Sequence, residues 1–463
     1  MIRLFRVFIP TSVLGLVISE IILTAACYVF AYWIQGNYEF EAFFLLENGA
    51  TRTAIVVATL IFGIYWSDLY EDVRVGSALL LYQQFCLITG SAFIAQALLG
   101  YFDAQLQFVM PRWPMLVGSL LFLILVPAWR LAYAPASIKI LGRRRVIFLG
   151  ANELVRDVAT HILRRPQTGY VTAGYLSPEP VDMPELGPYL GPPSKIREVY
   201  ATVKPALVAV ALTEQRGFVP INDLLDLRFS GAQVQQVGEL YELVKGRVSL
   251  SALRPSTLVF SNEAGPRPFS VTLQRVYSFL IALVGILVAT PVMLVVALLV
   301  RLTSHGPALY RQPRVGLHGH VFNLYKFRSM YADAEATTGA VWASKDDPRV
   351  TRFGRWIRRY RLDELPQLIN VLRGEMAIVG PRPERPEFVA TLTEQIPFYG
   401  QRHFVKPGIT GWAQINHKYG DTLEDTVTKL EYDLYYIKNL SVSLDLYIMF
   451  HTAKVMLLTR GSQ

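Results

Sequence analysis

Cysteine is almost absent from this sequence. The two present, Cys27 and Cys86, both sit inside apolar runs, so neither a disulfide framework nor a cysteine-built metal site organises the chain. Charge is scarce as well: 17% of the 463 residues are charged, against 52% hydrophobic, and the mean hydropathy is +0.31. That is too apolar for an ordinary soluble protein of this length, and it turns attention to membrane segments. Acidic residues are the scarcer sign, which leaves a formal net charge of +9. The excess suits anionic partners such as phospholipid headgroups, nucleotides, pyrophosphates or nucleic acid, without choosing among them. Short-period repeats and low-complexity tracts are missing too, which argues against repeat architectures.

Long apolar runs are what the sequence has instead. Four fill its first third, at residues 12–34, 53–70, 77–102 and 115–134, each near the roughly 20 residues that cross a bilayer as a helix. Arg3 and Arg6 precede the first, and Ala25-Ala26 resembles a cleavage site. The run is nevertheless too long for a signal peptide, and three more follow. Arg3, Arg6, Arg143, Arg144 and Arg145 flank the outer ends, whereas Glu39, Glu41 and Glu47 mark the loop after the first run. The positive-inside rule then puts both ends of a four-helix transmembrane bundle, residues 1–140, in the cytoplasm. Glu20 lies within the first run and Arg130 near the end of the fourth. A buried pair or an ion site is open to them, as is Glu20 facing the bundle while Arg130 snorkels.

Residues 141–267 read as an α/β domain. Val146-Ile147-Phe148-Leu149-Gly150 has a buried-strand pattern, a helical pattern follows through Leu163, and residues 206–212 and 232–237 are strand-like. Alternating strands and helices predict a Rossmann-like domain. Its first loop holds only Gly150, followed by Ala151-Asn152-Glu153. A dinucleotide fingerprint needs three glycines there, so a structural or regulatory role is expected.

A fifth apolar run spans residues 276–300. Pro291 lies inside it and Gly285 loosens it; Arg267 and Arg275 precede it, and Arg301, Arg311 and Arg314 follow. Pro291 lacks the donor for the carbonyl of Leu287. Basic flanks on both sides conflict with a simple crossing. The expectation is a re-entrant helix that breaks at Thr290-Pro291 and returns to the cytoplasmic face; the alternative is a kinked spanning helix.

The residues able to do chemistry follow. In a strand, Lys326 and Arg328 would share one face and suit a pyrophosphate, or simply face solvent. Arg358-Arg359-Tyr360-Arg361-Leu362-Asp363-Glu364-Leu365-Pro366-Gln367 places two acids ahead of a helix that Pro366 starts and Gly374 stops. One acid can attack phosphorus while the other holds a divalent cation, since Mg²⁺ favours one or two carboxylates plus substrate phosphates. Ordinary helix-start acids are the plain alternative. Gly380-Pro381-Arg382-Pro383-Glu384-Arg385-Pro386 forms a stiff loop whose Arg382 and Arg385 can grip phosphate. Further on, His403, Lys406-Pro407-Gly408-Ile409-Thr410-Gly411-Trp412 and Tyr432-Asp433-Leu434-Tyr435-Tyr436-Ile437-Lys438 suggest a membrane-interface surface, joined by an apolar helix at 442–458.

Residues 274–461 resemble the bacterial sugar transferases of exopolysaccharide synthesis, the polyprenyl-phosphate hexose-1-phosphate transferases of the monotopic phosphoglycosyl transferase superfamily. The signatures are residues 326–330, 362–367, 380–386 and 406–412, in the family's order. The bundle plus a degenerate α/β domain resembles the large form of that superfamily. The resemblance implies a catalytic domain at 268–463 with a re-entrant helix and an acidic dyad, Asp363 and Glu364, which also binds Mg²⁺. It implies phosphate contacts from Lys326, Arg328, Arg314, Arg382 and Arg385. Asp363 would take the phosphosugar from a UDP-sugar, releasing UMP, and undecaprenyl phosphate would then accept it. The family usually opens its re-entrant helix with a basic pair followed by Asp, where this chain has Gln274, Arg275 and Ser278, and it breaks the helix at Ser-Pro, where this chain has Thr290-Pro291.

The expected place is the bacterial inner membrane, multi-pass, with catalysis on the cytoplasmic face, in contact with membrane phospholipid; a homo-oligomer is compatible with the sequence. Two other readings compete: a lipid glycosyltransferase that releases UDP, and a non-catalytic membrane nucleotide sensor or scaffold. Nucleic-acid binding is disfavoured, because no reading module accompanies the basic residues.

Overall fold

A computed structural model describes the chain apart from residues 1, 5–6, 10, 36–47, 68, 71–77, 103–107, 141–143, 212–218, 254–264, 267, 332–333, 335–346, 418–421 and 458–463. Arg6, Glu39, Glu41, Glu47, Arg143 and Arg267, used above for orientation, lie outside the described residues. The chain divides into two compact units, Phe8–Gln235 and Gln236–Gln463, with the few residues before Phe8 shared between them.

The first unit opens with four apolar helices: α1 (Thr11–Gln35), α2 (Gly49–Trp66), α3 (Ala78–Phe102) and α4 (Arg112–Ile140). All four are long and apolar enough to cross a membrane. They share one core, in which Tyr28, Leu60, Phe85 and Phe122 are almost fully buried. Glu20 and Arg130 meet inside it. Arg130 Nε donates to Glu20 Oε1 at 2.7 Å and Nη2 to Oε2 at 2.8 Å, while Tyr70 Oη donates to Oε2 at 2.6 Å. Arg130 Nη1 also reaches the Leu69 carbonyl at 2.6 Å. The buried-pair reading therefore holds, and Arg130 does not snorkel. Removing one partner strands the other charge in hydrocarbon, a loss of about 3–5 kcal/mol. Glu20→Ala should thus lower the unfolding temperature in detergent sharply, and Glu20→Ala/Arg130→Leu should recover much of it. Equal melting of the two variants would show that the pair carries no such penalty.

The same unit holds a four-stranded sheet in the order β2-β1-β3-β4, formed by β1 (Arg144–Leu149), β2 (Tyr170–Leu176), β3 (Leu207–Val210) and β4 (Val234–Gln236). β1 runs parallel to both β2 and β3. Helix α5 (Glu153–Arg164) follows β1 with Asn152 as its cap, the side chain accepting from Val155 N at 2.9 Å. Helices α6 (Ile196–Val203) and α7 (Ile221–Phe229) complete the alternation. β2 escapes a sequence reading because its apolar pattern is broken by Thr172 and Gly174.

The second unit begins with α8 (Val237–Lys245), a segment the sequence groups with the α/β domain. It is tied to later residues: Trp412 Nε1 donates to the Gly246 carbonyl at 2.7 Å, and Glu431 accepts from Tyr241 and from Leu250 N. Helix α9 (Pro268–Thr303) is continuous through Pro291, so the expected interruption at Thr290-Pro291 is absent from its secondary structure. Thr290 Oγ1 donates to the Ile286 carbonyl at 2.6 Å. Such a back-bond beside a proline bends a helix without ending it.

Both ends of α9 are fastened within this unit. Near the start, the Gln274 amide donates to the Val379 carbonyl and to Asp445 Oδ2, and Ser278 Oγ accepts from Ile378 N. Gln274 and Ser278, the departures from the family pattern, thus still anchor the stem. Near the end, Val296 and Val300 pack with Phe327 and Ile357. Between them Leu287, Val288 and Leu294 are about 70% exposed.

The hairpin of β5 (Leu309–Val315) and β6 (Val321–Phe327) is antiparallel. Then come α10 (Arg352–Arg359), a 3₁₀ turn at Leu362–Glu364, α11 (Gln367–Leu372), β7 (Ala377–Val379), α12 (Pro386–Gln395), β8 (Gly408–Thr410), which pairs parallel with β7, α13 (Trp412–Asn416), α14 (Leu423–Asn439) and α15 (Val442–Leu457). Trp412, Tyr435 and Tyr436 are buried in this unit's core, as are Leu444 and Ile448 of α15. The expected interfacial surface is, for these residues, interior: Trp412 stacks on Tyr435.

Candidate active site

Asp363 and Glu364 sit in a 3₁₀ turn just ahead of α11, whose N-cap is Pro366, so they precede a helix start as the sequence suggests. Arg361, at φ 53°, turns the chain in from α10. α11 then runs as far as expected and stops at Gly374, whose φ of +75° suits glycine. Both acids are buried, at 7% and 9% exposure.

Cations converge on Glu364. Lys326 Nζ lies 3.1 Å and Arg382 Nη2 3.0 Å from Glu364 Oε1, with Arg361 4.0 Å from Oε2. Burial pushes the Glu364 carboxyl up, but Lys326, Arg382 and Arg361 together outweigh it and hold it well below the usual carboxylate range. Asp363 stands differently. Burial raises its carboxyl to about 6; Glu364 adds to that rise, against the opposing pull of Lys326, Arg358 and Arg382. Burial also lowers the Lys326 ammonium, with Glu364 opposing. Two adjacent acids are thereby split into a fixed anion and a more basic neighbour.

The loop that carries Arg382 is set by close backbone packing. Gly380 N donates to Thr410 O at 2.8 Å and Gly408 N to Pro381 O at 2.9 Å. A Cβ on Gly408 would meet Gly380 N at 2.1 Å, so no side chain fits. Arg402 braces the loop from behind: its Nη2 donates to the Arg382 carbonyl at 3.0 Å and to Asp433 Oδ2 at 2.8 Å. Arg314 donates to the Pro383 carbonyl and to Gln312 Oε1. Burial pushes its guanidinium down to about 10, with repulsion from Arg382 and Arg385 against the attraction of Glu384.

Of the expected residues, then, Asp363, Glu364, Lys326 and Arg382 come together, Arg314 acts on Lys326, and Arg385 stands further out, acting on Arg314 and pairing with Glu387. Arg328 does not join them. β6 ends at Phe327, so the alternation expected to pair Arg328 with Lys326 stops one residue early. Arg328 is instead buried, and its Nη2 donates to Ser304 O at 2.8 Å, at the end of α9. Residues that the sequence reading left without a role are Arg358, whose charge acts on Asp363 and whose Nε donates to Ser329 Oγ at 2.8 Å, and the Arg402–Asp433 pair. Arg358 stands five residues before Asp363 in the quoted motif, the signal that could have flagged it.

The oxygens fit a hard divalent cation. Glu364 Oε2 has only the distant Arg361, and no described residue donates a hydrogen bond to the Asp363 carboxylate. Among the described residues no group of three metal-ligating side chains exists. Mg²⁺ accepts one or two carboxylates with water or phosphate in its remaining positions, so Asp363 and Glu364 are the residues that could hold one.

Residues 269–459 match the family described as bacterial sugar transferase. Among curated relatives, the chain is 42% identical over 230 residues to the UDP-N-acetylgalactosamine-undecaprenyl-phosphate N-acetylgalactosaminephosphotransferase of Aeromonas hydrophila, covering 50% of this chain and 53% of that one. It is 34% identical over 332 residues to the UDP-glucose:undecaprenyl-phosphate glucose-1-phosphate transferase of Xanthomonas campestris pv. campestris, covering 67% and 66%. It is 41% identical over 196 residues to the exopolysaccharide production protein PSS of Rhizobium leguminosarum bv. phaseoli, covering 41% of this chain and 98% of that protein. The match thus spans about half to two thirds of the first two relatives and nearly all of the third. With the relative matched along almost its whole length and the family signature over residues 269–459, this chain belongs to the bacterial sugar transferase family.

Proposed function

We propose that this protein transfers a sugar-1-phosphate from a UDP-sugar to undecaprenyl phosphate, as the first membrane step of exopolysaccharide or other surface glycan synthesis. The reading rests above all on the asymmetry of the dyad: a cation-held Glu364 beside a buried, more basic Asp363. An Asp363 oxygen attacks the sugar-bearing phosphorus of the donor. The bond to the other phosphate breaks and UMP leaves with its electron pair, giving an acyl-phosphate on Asp363. An oxygen of the lipid phosphate then attacks the same phosphorus, and the Asp363 carboxylate departs. Lys326, Arg382 and Arg314 offer positive charge for the phosphates, and Glu364 holds that charge in place. Bound Mg²⁺, held by Glu364 and Asp363, would neutralise charge on the pyrophosphate.

The test is a panel of UDP-sugars given to membranes containing the protein, with UMP and UDP both measured. UDP as the nucleotide product would replace this reading by a plain lipid glycosyltransferase. The pH profile is a second check. Attack needs the Asp363 carboxylate, so kcat/KM should fall tenfold per unit as pH drops below about 6. A profile flat down to pH 5 would assign the nucleophile elsewhere.

We place the enzyme in the inner membrane, with α1–α4 as a transmembrane bundle and α9 re-entrant. Support comes from the two ends of α9 packing within one unit while its middle exposes apolar side chains. Both flanks then lie on the cytoplasmic side, where nucleotide sugars are. Single cysteines at Asn262 and Gly339, in a chain lacking Cys27 and Cys86, should react with an impermeant reagent only in opened cells. Labelling of either in intact cells would make α9 a spanning helix.

A further inference from the structure

A cavity of about 460 Å³ opens at the end of α11 away from the dyad. Arg275 and Phe279 of α9, Leu372, Met376, Phe404 and Lys406 are among its walls. None of the dyad's partners lines it, so it is a separate site. The wall is mixed: Phe279, Leu372, Met376 and Phe404 give it apolar faces, Gln274, Ser278 and His318 polar ones, and two cations, Arg275 and Lys406, line it. Among the described residues, no aspartate or glutamate lines the cavity.

The two cations feel one another. Burial lowers the Lys406 ammonium, and Arg275 repels it further. A Cβ on Gly374 would stand 3.4 Å from Lys406 Nζ, which places the amine beside Gly374, just past the end of α11. Like charges sharing an enclosure without an acid are stabilised by an anion placed between them. Phosphate, with several acceptor oxygens, suits an arginine and a lysine together.

The walls narrow the choice of anion. Phe279 is 46% exposed, and on the same helix Phe269, Val276 and Leu280 are exposed by 52% or more. These residues form the root of the segment that, in the reading above, enters the membrane. A ligand at this place has its charge held inside and its apolar part continuous with lipid. The acceptor must bring its phosphate to Asp363, and α11, about 9 Å long at 1.5 Å per residue, stands between. The cavity therefore suits a lipid that is not consumed.

We propose that this cavity binds the headgroup of an anionic phospholipid, its phosphate between Arg275 and Lys406 and its first acyl carbons over Phe279 and Phe404. The proposal rests on the reading of α9 as membrane-inserted. Occupied, the site ties the end of α11 and the stem of α9 to the lipid surface. The other end of α11 follows directly on the 3₁₀ turn that holds Asp363 and Glu364, so bilayer charge would reach the dyad through one short helix.

The experiment uses the full chain purified in neutral detergent and titrated with phosphatidylglycerol or phosphatidylcholine, with retained lipid counted by native mass spectrometry. Wild-type protein should keep one phosphatidylglycerol with a preference of about tenfold or more. Arg275→Gln/Lys406→Gln should lose that preference, and Arg275→Lys/Lys406→Arg should keep it. In nanodiscs, UMP release by the wild type should rise with phosphatidylglycerol content, and the glutamine pair should not respond. The proposal is overturned if the glutamine pair still retains phosphatidylglycerol, or if both double variants lose it alike. Displacement by polyprenyl phosphate would make the cavity the acceptor's site, and displacement by millimolar inorganic phosphate would make it a free-phosphate site; either defeats the proposal. Selective phosphatidylglycerol binding by a chain that releases no UMP would uphold the site and count against the transferase reading alone.

Discussion

Asp363→Asn is expected to lower UMP formation by about 10³-fold or more, the scale of loss when a covalent nucleophile is removed. The amide is nearly isosteric and keeps the 3₁₀ turn, but it cannot form and release an acyl-phosphate. The fold should not suffer. The carboxyl is raised to about 6 in the folded protein, so the folded state favours the neutral form and the ionised carboxylate weakens the fold as pH rises through that value. Asparagine mimics the neutral form. At pH 7.5 the variant should therefore melt at or above the wild-type temperature while turning over almost nothing. Turnover above about one hundredth of wild type would move the nucleophile to another group.

Much of this site was legible in the sequence because the residues are close along the chain. Asp363 and Glu364 are neighbours, the proline-rich loop presents Arg382, and Gly374 ends α11 as a left-handed stop should. Other parts depended on distance or on where an element ends. The Arg402–Asp433 pair joins residues 31 apart, and no local pattern announces it. Arg328 was misplaced because period-two alternation is only as good as the strand's last residue. Trp412, Tyr435 and Tyr436 have the composition of an interfacial belt, yet their rings fill a core; amphipathic side chains do either, and burial is decided by tertiary partners. Pro291 removes a donor wherever it stands, yet α9 continues as a helix through it, because the packing at both its ends and not the one missing bond sets its course. The pairing of Glu20 with Arg130 was among the open options, and the geometry selects it.

Glu364→Gln should also be severely impaired, for a different reason and with the opposite effect on the fold. Lys326 and Arg382 both point at Glu364 Oε1. A glutamine oxygen can accept from one of them, but it carries no charge to balance either. The folded-state carboxyl is depressed, so its ionised form stabilises the fold at neutral pH, and that contribution fades as pH falls toward the folded value. The variant should therefore melt below wild type at pH 7.5, where Asp363→Asn does not. Comparing two isosteric, adjacent acid-to-amide changes in this way isolates charge from shape. For catalysis, kcat/KM should fall by about 10²-fold or more, as when one preorganised electrostatic partner is lost. Wild-type activity should vanish in excess chelator and return with Mg²⁺, and Glu364→Gln should need about tenfold more Mg²⁺ to reach half its own maximum. Full wild-type activity in chelator would remove the metal from the proposed reaction. An unchanged Mg²⁺ requirement in the variant would leave Glu364 as a holder of Lys326 and Arg382 and assign the cation to other oxygens.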